Sequence, residues 1–345
     1  MGMKAMVLER FGEPMVLREV PEPAIGPEDI LLRVKASGLC ATDLKVYDGA
    51  VKSVQLPRIA GHELSGEVAK LGSAVQGWEV GDHGVVYINL PCGSCYLCRK
   101  GRENDCTREL RRIGFEEDGG FGEYVRVPAR NLCKISRDVP QEQACILSGT
   151  MSTPLHAIRT QGRLQAGETV AIIGIGGLGI HTLQLAAVMG ARVIAVDISE
   201  EKLAAARTFG AEAAINSMQC DFAEEIRRLT GGEGADLIVE IVAGSQVPMV
   251  LEKSMGALRL AGRLVVLGYQ YGQRFSLDPQ KMVYDELEVI GSRSSIRQDL
   301  MDVISLVERG KVKPIISECF PLEQANEAFA RLRKSTSLGR MVLLL

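Results

Sequence analysis

Cys92, Cys95, Cys98 and Cys106 stand in the run PCGSCYLCRKGRENDC, a C-x2-C-x2-C-x7-C ladder. Soft thiolates this close together suit a closed tetrahedral zinc in which the protein fills every position. Such a site holds a loop in shape and does no chemistry itself. Clustered free thiols gain nothing from their proximity, and disulfide frameworks belong to oxidising compartments, so the spacing reads as a structural metal site. Two other residues carry the same kind of chemistry. Cys40 lies in GLCATD and His62 in GHELSGEV, 22 residues apart. A thiolate and an imidazole near the ends of short β segments can serve as ligands of a catalytic zinc.

Gly174, Gly176 and Gly179 in IIGIGGLGIH form G-x-G-x-x-G between an expected strand and an expected helix. The glycines permit a tight turn and close approach of backbone to a pyrophosphate, while the helix N-terminus attracts negative charge. Asp197 ends the next expected strand, 18 residues after Gly179, where a carboxylate can bond both ribose hydroxyls. It would repel the extra phosphate of NADP. Ile198 and Ser199 follow it rather than an arginine, and Lys202 is within reach of the ribose one turn later. NAD is therefore expected over NADP.

These residues need elements to hold them. From Met3 to about Val127 the segments are short and β-like, broken by Gly and Pro, as in DILLRVKASG, DHGVVYINLP and GEYVRVPA. They predict a partly barrel-like, β-rich domain. From about Ala144 the texture changes to buried strands alternating with helices: TVAIIGI, LGIHTLQLAAVMG, RVIAVDI, EEKLAAARTFG, ADLIVEIVA, LRLAGRLVVLGY. That pattern predicts a doubly wound parallel sheet, so the fold class is α/β. MDVISLVERGKV reads as one more helix, and GRMVLLL as a strand returning to the first domain. The expected domains are 1–152 with 297–345, and 153–296.

Composition narrows the function classes. The chain of 345 residues is 46% hydrophobic and 24% charged, ordinary values for a globular enzyme with a sizeable core. A net charge of −3 gives no footprint for nucleic acid or an anionic membrane, and no apolar run has the length of about 20 residues that spans a bilayer. Nine cysteines, mostly not in disulfide-like spacing, point to a reducing compartment, so a cytoplasmic protein is expected.

On GLCATD, GHELSGEV, the cysteine ladder, GIGGLG with Asp197, and the late segments Gly291-Ser292 and Gly339-Arg340, the chain resembles the zinc-containing medium-chain dehydrogenase/reductase family. This is the family of alcohol, polyol and threonine dehydrogenases, and the resemblance runs from Met3 to the C-terminus. It implies a GroES-like catalytic domain with a structural zinc lobe, a Rossmann domain for NAD, and a homodimer or homotetramer. It also implies hydride transfer between NAD and a secondary alcohol, polyol or related hydroxy compound, the substrate being a small alcohol or carbonyl. Cys40 and His62 match catalytic zinc ligands, and Thr42 the hydroxyl that relays the substrate proton. Glu63 matches a carboxylate beside the metal that can swing in as a ligand. Thr153, Gly174, Gly176, Gly177, Leu178, Gly179, Asp197, Lys202, Val242, Leu267, Gly268, Ser292 and Arg340 fall at cofactor-binding positions.

Two residues depart from the family pattern. The third catalytic ligand, Cys or Glu, should lie about 87 residues beyond His62, in the segment GTMSTPLHA, and that register gives Gly149. Glycine offers no ligand. Glu63 can complete a site of Cys40, His62, Glu63 and a water; Cys145 can substitute only if its segment shifts; or the catalytic zinc is absent and the scaffold serves as a zinc-independent reductase or a nucleotide-binding protein. On the first alternative, a cysteine introduced at 149 should tighten the metal. Lys45, five residues after Cys40, stands where many relatives have a proton-relaying histidine. It can take that role, pair with an acidic substrate group, or point into water. His83 reads as a surface or strand histidine, His156 and His181 as core or interface residues, Cys133, Cys220 and Cys319 as apolar filling, and Arg108, Arg111 and Arg112 as a solvated face or subunit contact rather than a substrate clamp.

Overall fold

A computed structural model describes residues 2–108, 110–334 and 338–345. The chain divides into two compact units, the first of residues up to Ser152 with Ser295–Gly310 and Pro314–Leu345, the second Thr153–Ser294 with Lys311–Lys313.

The first unit is β-rich. Its seven-stranded sheet is built around Asp29–Leu39, which pairs antiparallel with Glu63–Leu71, Tyr124–Pro128 and Arg340–Leu344. The sequence DILLRVKASGL buries nearly every side chain, as a central strand covered on both faces must. A smaller sheet of Val16–Pro21, Gly2–Leu8 and Arg58–Ile59 lies in the same unit. Register matters more than strand count here. Gly38 pairs with Glu63, and Leu39 with Met341, so Cys40, Glu63 and Arg340 all arrive at one end of the sheet. The C-terminal strand does return to the first unit, as GRMVLLL predicts.

The second unit holds a six-stranded, wholly parallel sheet. Its order is Ala213–Asn216, Arg192–Asp197, Thr169–Ile173, Ala235–Glu240, Leu258–Val266, Glu288–Gly291. The strands are near-continuous apolar runs because helices cover the sheet. Strand order reverses between Thr169–Ile173 and Ala235–Glu240, the switch point at which such sheets leave a crevice for ligand. A helix that the sequence pattern did not announce, Val247–Ala257, precedes Leu258–Val266, with proline tolerated in its first turn. No helix among the described residues is long and apolar enough to cross a membrane.

The scattered cysteines divide. Cys133 is buried, as expected of apolar filling, whereas Cys220 and Cys319 are exposed and fill nothing. His156 and His181 are buried on helical segments. The expected solvated arginine cluster is in part ion-paired: Arg111 pairs with Glu117 and Arg112 with Glu116.

Candidate active site and metal centres

Cys40 caps the helix Ala41–Tyr47, and its N–H donates to Asp43 Oδ2 at 2.8 Å. The other oxygen of Asp43 lies 2.8 Å from His62 Nδ1. Asp43 is itself buried, so the imidazole is held in one orientation with Nε2 left for a ligand. Phe115 packs against the same ring at 5.0 Å between centroids, and the Arg112 guanidinium stacks 4.2 Å from the Phe115 centroid. The Cys40 thiol lies 3.5 Å from Thr42 Oγ1. Lys45 is half-buried in the last turn of the helix.

Glu63 is fully buried and saturated with donors. Arg340 Nε donates to its Oε2 at 2.9 Å and Nη2 to its Oε1 at 2.6 Å, while Thr150 Oγ1 is 2.9 and 3.0 Å from the two oxygens. The carboxylate occupies a slot that only glycines leave open. A Cβ on Gly149 would lie 2.4 Å from Oε1, and one on Gly38 would lie 2.6 Å from Oε2. Gly149 therefore lacks a ligand because Glu63 fills its space. Arg340, at a cofactor-binding position by resemblance, turns its guanidinium inward to Glu63, with only 6% of its surface exposed.

The electrostatics ready the Cys40 thiolate for a metal and hold on His62 a proton that an arriving metal would displace. Burial alone would push the Cys40 thiol up, but the Arg340 charge and the His62 hydrogen bond outweigh it and hold the thiol below its ordinary value. Burial alone would push His62 down; the Asp43 carboxylate outweighs it and raises the imidazole well above its ordinary value. Ligand atoms of Cys40, His62 and Glu63 all lie within 4.8 Å of one another. A thiolate, an imidazole and a carboxylate so disposed fit a zinc with an open position. Thr150 has one hydroxyl proton to give, so one of the two carboxylate oxygens keeps a lone pair free of Arg340 and Thr150. Cys145 is not in this cluster: it is buried, its thiol points to the Glu142 carbonyl at 3.3 Å, and burial raises it well above its ordinary value.

The ladder closes as its spacing predicts. The four sulfurs lie within 4.8 Å of one another, with Cys95–Cys98 at 3.4 Å and Cys92–Cys98 and Cys95–Cys106 at 4.0 Å. A tetrahedron of Zn–S bonds has edges of about 3.8 Å. Main-chain N–H groups of Cys95, Cys98 and Cys92 point at the sulfurs of Cys92, Cys95 and Cys106. Those of Cys98 and Thr107 hold the Cys95 thiol well below its ordinary value.

In the second unit, Gly174 opens the phosphate turn at φ +99°. A Cβ on Gly179 would lie 1.9 Å from the Gly174 carbonyl, so the turn cannot close without glycine there. At Gly176 a Cβ would touch nothing, so the protein's own packing does not require glycine; an approaching pyrophosphate does. Gly177 and Leu178 lead into the helix Gly179–Val188. Asp197 Oδ2 accepts from the Ile175 N–H at 2.6 Å, and Oδ1 from Ile198 and Ser199. Lys202 stands half-buried in the first turn of the next helix. Val242, Leu267, Gly268 and Ser292 follow the ends of the three strands beyond the switch point. Thr153 begins the second unit.

Asp43 and Thr150 escape a reading by spacing. Asp43 left a signal in GLCATD, an acid three residues after the thiol. Thr150 and the inward turn of Arg340 left none, since the first depends on the fold of a helical segment and the second on strand register.

Residues 26–137 match the family described as alcohol dehydrogenase GroES-like domain, and residues 177–309 the zinc-binding dehydrogenase family. An alcohol dehydrogenase of Geobacillus stearothermophilus is 35% identical over 344 residues, covering 99% of each chain. An NAD-dependent alcohol dehydrogenase of Sulfurisphaera tokodaii is 34% identical, again covering 99% of each. The crystal structure of AibC superposes with a TM-score of 0.94 at 36% identity, covering 99% of this chain and 96% of that one. The chain belongs to the zinc-containing medium-chain dehydrogenase/reductase family. It is an oxidoreductase of the alcohol dehydrogenase type.

Proposed function

We propose that the protein moves hydride between NAD and a secondary alcohol, polyol or related hydroxy compound, with one catalytic and one structural zinc. The observation that carries this reading is the convergence of Cys40, His62 and Glu63, with the Thr42 hydroxyl against the Cys40 sulfur. Zinc supplies Lewis acidity that lowers the pKa of an alcohol, and NAD supplies the hydride acceptor. The chain's own residues do the rest. Asp43 fixes the His62 tautomer, Arg340 and Thr150 orient Glu63, and Thr42 takes the substrate hydroxyl proton. Lys45, within the same helix, is the candidate to carry that proton to solvent. Metal analysis and turnover with a panel of secondary alcohols test the reading: two zincs per chain and NAD-dependent turnover are expected.

Specificity for NAD rests on Asp197. Asp197→Asn keeps an oxygen for the N–H groups of Ile198 and Ser199 but removes the charge. A hydrogen bond to a charged group contributes about 1.5–3 kcal/mol, so the NAD-over-NADP preference should fall by about ten- to a hundredfold. Equal use of both cofactors by the unmodified protein would count against the assignment.

The saturated carboxylate of Glu63, beside a glycine at position 149, favours a second reading: a zinc-independent reductase on the same scaffold. One zinc per chain with undiminished turnover would select it. A homodimer or homotetramer in the cytoplasm completes the proposal. Leu260, Tyr271, Val283 and Tyr284, each more than half exposed in the second unit, support self-association.

A further inference from the structure

At the end of Ala235–Glu240 lies a carboxyl that neither the Cys40 centre nor the phosphate turn employs. Glu240 has no exposed surface. Its Oε1 accepts from the Val242 N–H at 2.7 Å, while Oε2 is buried without a hydrogen-bond partner. Its main-chain carbonyl accepts from Leu267 at 3.0 Å and Gly268 at 3.2 Å. Register sets Glu240 opposite Ile173 on one side and Val266 on the other. The next residue, Ile241, donates to the Ile173 carbonyl at 2.9 Å, immediately before Gly174. A Cβ on Gly268 would lie 2.0 Å from the Val242 carbonyl oxygen and 2.5 Å from Glu240 Oε1. The loop after Val266 thus seats directly on the carboxyl. One residue knots the ends of three neighbouring strands together at the switch point of the sheet.

We propose that Glu240 is a positioning residue for the dinucleotide, pinning the loops after Ile173, Glu240 and Val266 into the crevice that receives it and tying cofactor affinity to its own protonation. This rests on the NAD reading above. Burial raises the carboxyl to about 7, opposed only by the N–H groups of Val242 and Gly268; no charged side chain contributes. The group is therefore half ionised near neutrality. A pyrophosphate brought to the same edge of the sheet favours the neutral form, so a proton passes from solvent to the carboxylate as cofactor binds. Affinity then falls as pH rises above 7.

The experiment is NADH titration of the full chain from pH 6 to 8.5, compared with Glu240→Gln, which is isosteric and does not titrate. Each pKa unit by which binding lifts the group corresponds to about tenfold in affinity, so the unmodified protein should weaken by roughly three- to tenfold across this range. The Gln variant should change by less than about twofold. Thermal melting adds a second readout. An acid whose folded pKa lies above its unfolded value contributes stability at low pH and loses it as pH rises through the folded pKa. Glu240→Gln should therefore melt like the parent at pH 5 and above it at pH 8. Gly268→Ala, which displaces the loop and leaves the carboxyl titratable, should lose about tenfold or more in affinity at every pH. Superimposable pH profiles for parent and Gln variant, or an unchanged affinity in Gly268→Ala, would overturn the inference while leaving the NAD reading intact. A parent that binds no NADH overturns both.

Discussion

Alanine at Glu63 should strip the catalytic metal and destabilise the fold in the same step. The carboxylate is the ion-pair partner of a guanidinium with 6% of its surface exposed, and it accepts from Thr150 as well. Removing one member of a buried pair leaves the other uncompensated, which costs about 3–5 kcal/mol. A loss of metal in Glu63→Ala would then be ambiguous, since a loosened site also releases its ion. The double variant Glu63→Leu, Arg340→Met separates the effects. Replacing both charges by apolar groups of similar volume is often neutral. It should recover most of the melting temperature and none of the metal. Glu63→Gln should lie between, since the amide oxygen can still accept from Arg340 but is a poorer zinc donor. If Glu63→Ala retains both metals and melts with the parent, Glu63 is neither ligand nor keystone.

The same geometry revises what a cysteine at position 149 would do. Read from spacing, Gly149 is a missing ligand, and Gly149→Cys should simply restore it. In the folded protein the Cβ alone would lie 2.4 Å from Glu63 Oε1 and 2.8 Å from its Cγ. A side chain there must expel Glu63 and unpair Arg340. Gly149→Cys should gain a thiolate only by losing the carboxylate, with a lower melting temperature as the visible consequence.

This difference marks where sequence reasoning stops. The ladder at Cys92–Cys106 and the turn at Gly174–Gly179 are local: their ligand atoms come from one short segment, so spacing alone specifies geometry. Cys40 and His62 are further apart, yet each sits in a run whose residue types carry the chemistry. Arg340 and Thr150 are different. They meet Glu63 across 277 and 87 residues, through the pairing of Leu39 with Met341 and the fold of a helical segment. No pattern within either segment announces the partner. Glu240 is harder still, because its run ADLIVE reads as an ordinary buried strand that happens to end in an acid. Strand order, which places it beside Ile173, is what gives that acid a neighbourhood.

Cys95→Ser should remove one zinc per chain and lower the melting temperature, with little change in NADH affinity. The lobe from Cys92 to Cys106 has almost no apolar core of its own. Its regular elements are the single turns Tyr96–Arg99 and Glu103–Asp105, and among its described residues only Cys95, Asn104 and Cys106 are buried. A loop so short of buried surface gains its shape from metal binding, as closed thiolate sites do. Cys95 is also the residue whose sulfur caps Tyr96–Arg99 by accepting from the Cys98 N–H at 3.5 Å. The damage should spread by one identifiable route. Glu103 Oε1 accepts from the Arg297 N–H at 2.6 Å, at the start of the helix Arg297–Glu308. A lobe that unravels withdraws this acceptor from the helix N-terminus, a loss of about 1 kcal/mol added to that of the lobe itself. At about 2–4 °C per kcal/mol for a chain of this class, a total of a few kcal/mol should lower the midpoint by about 5–10 °C. The phosphate turn and Asp197 contain no lobe residue, which is why cofactor affinity is the control. A Cys95→Ser protein that holds both zincs and melts with the parent would show that the ladder is not what keeps this lobe folded.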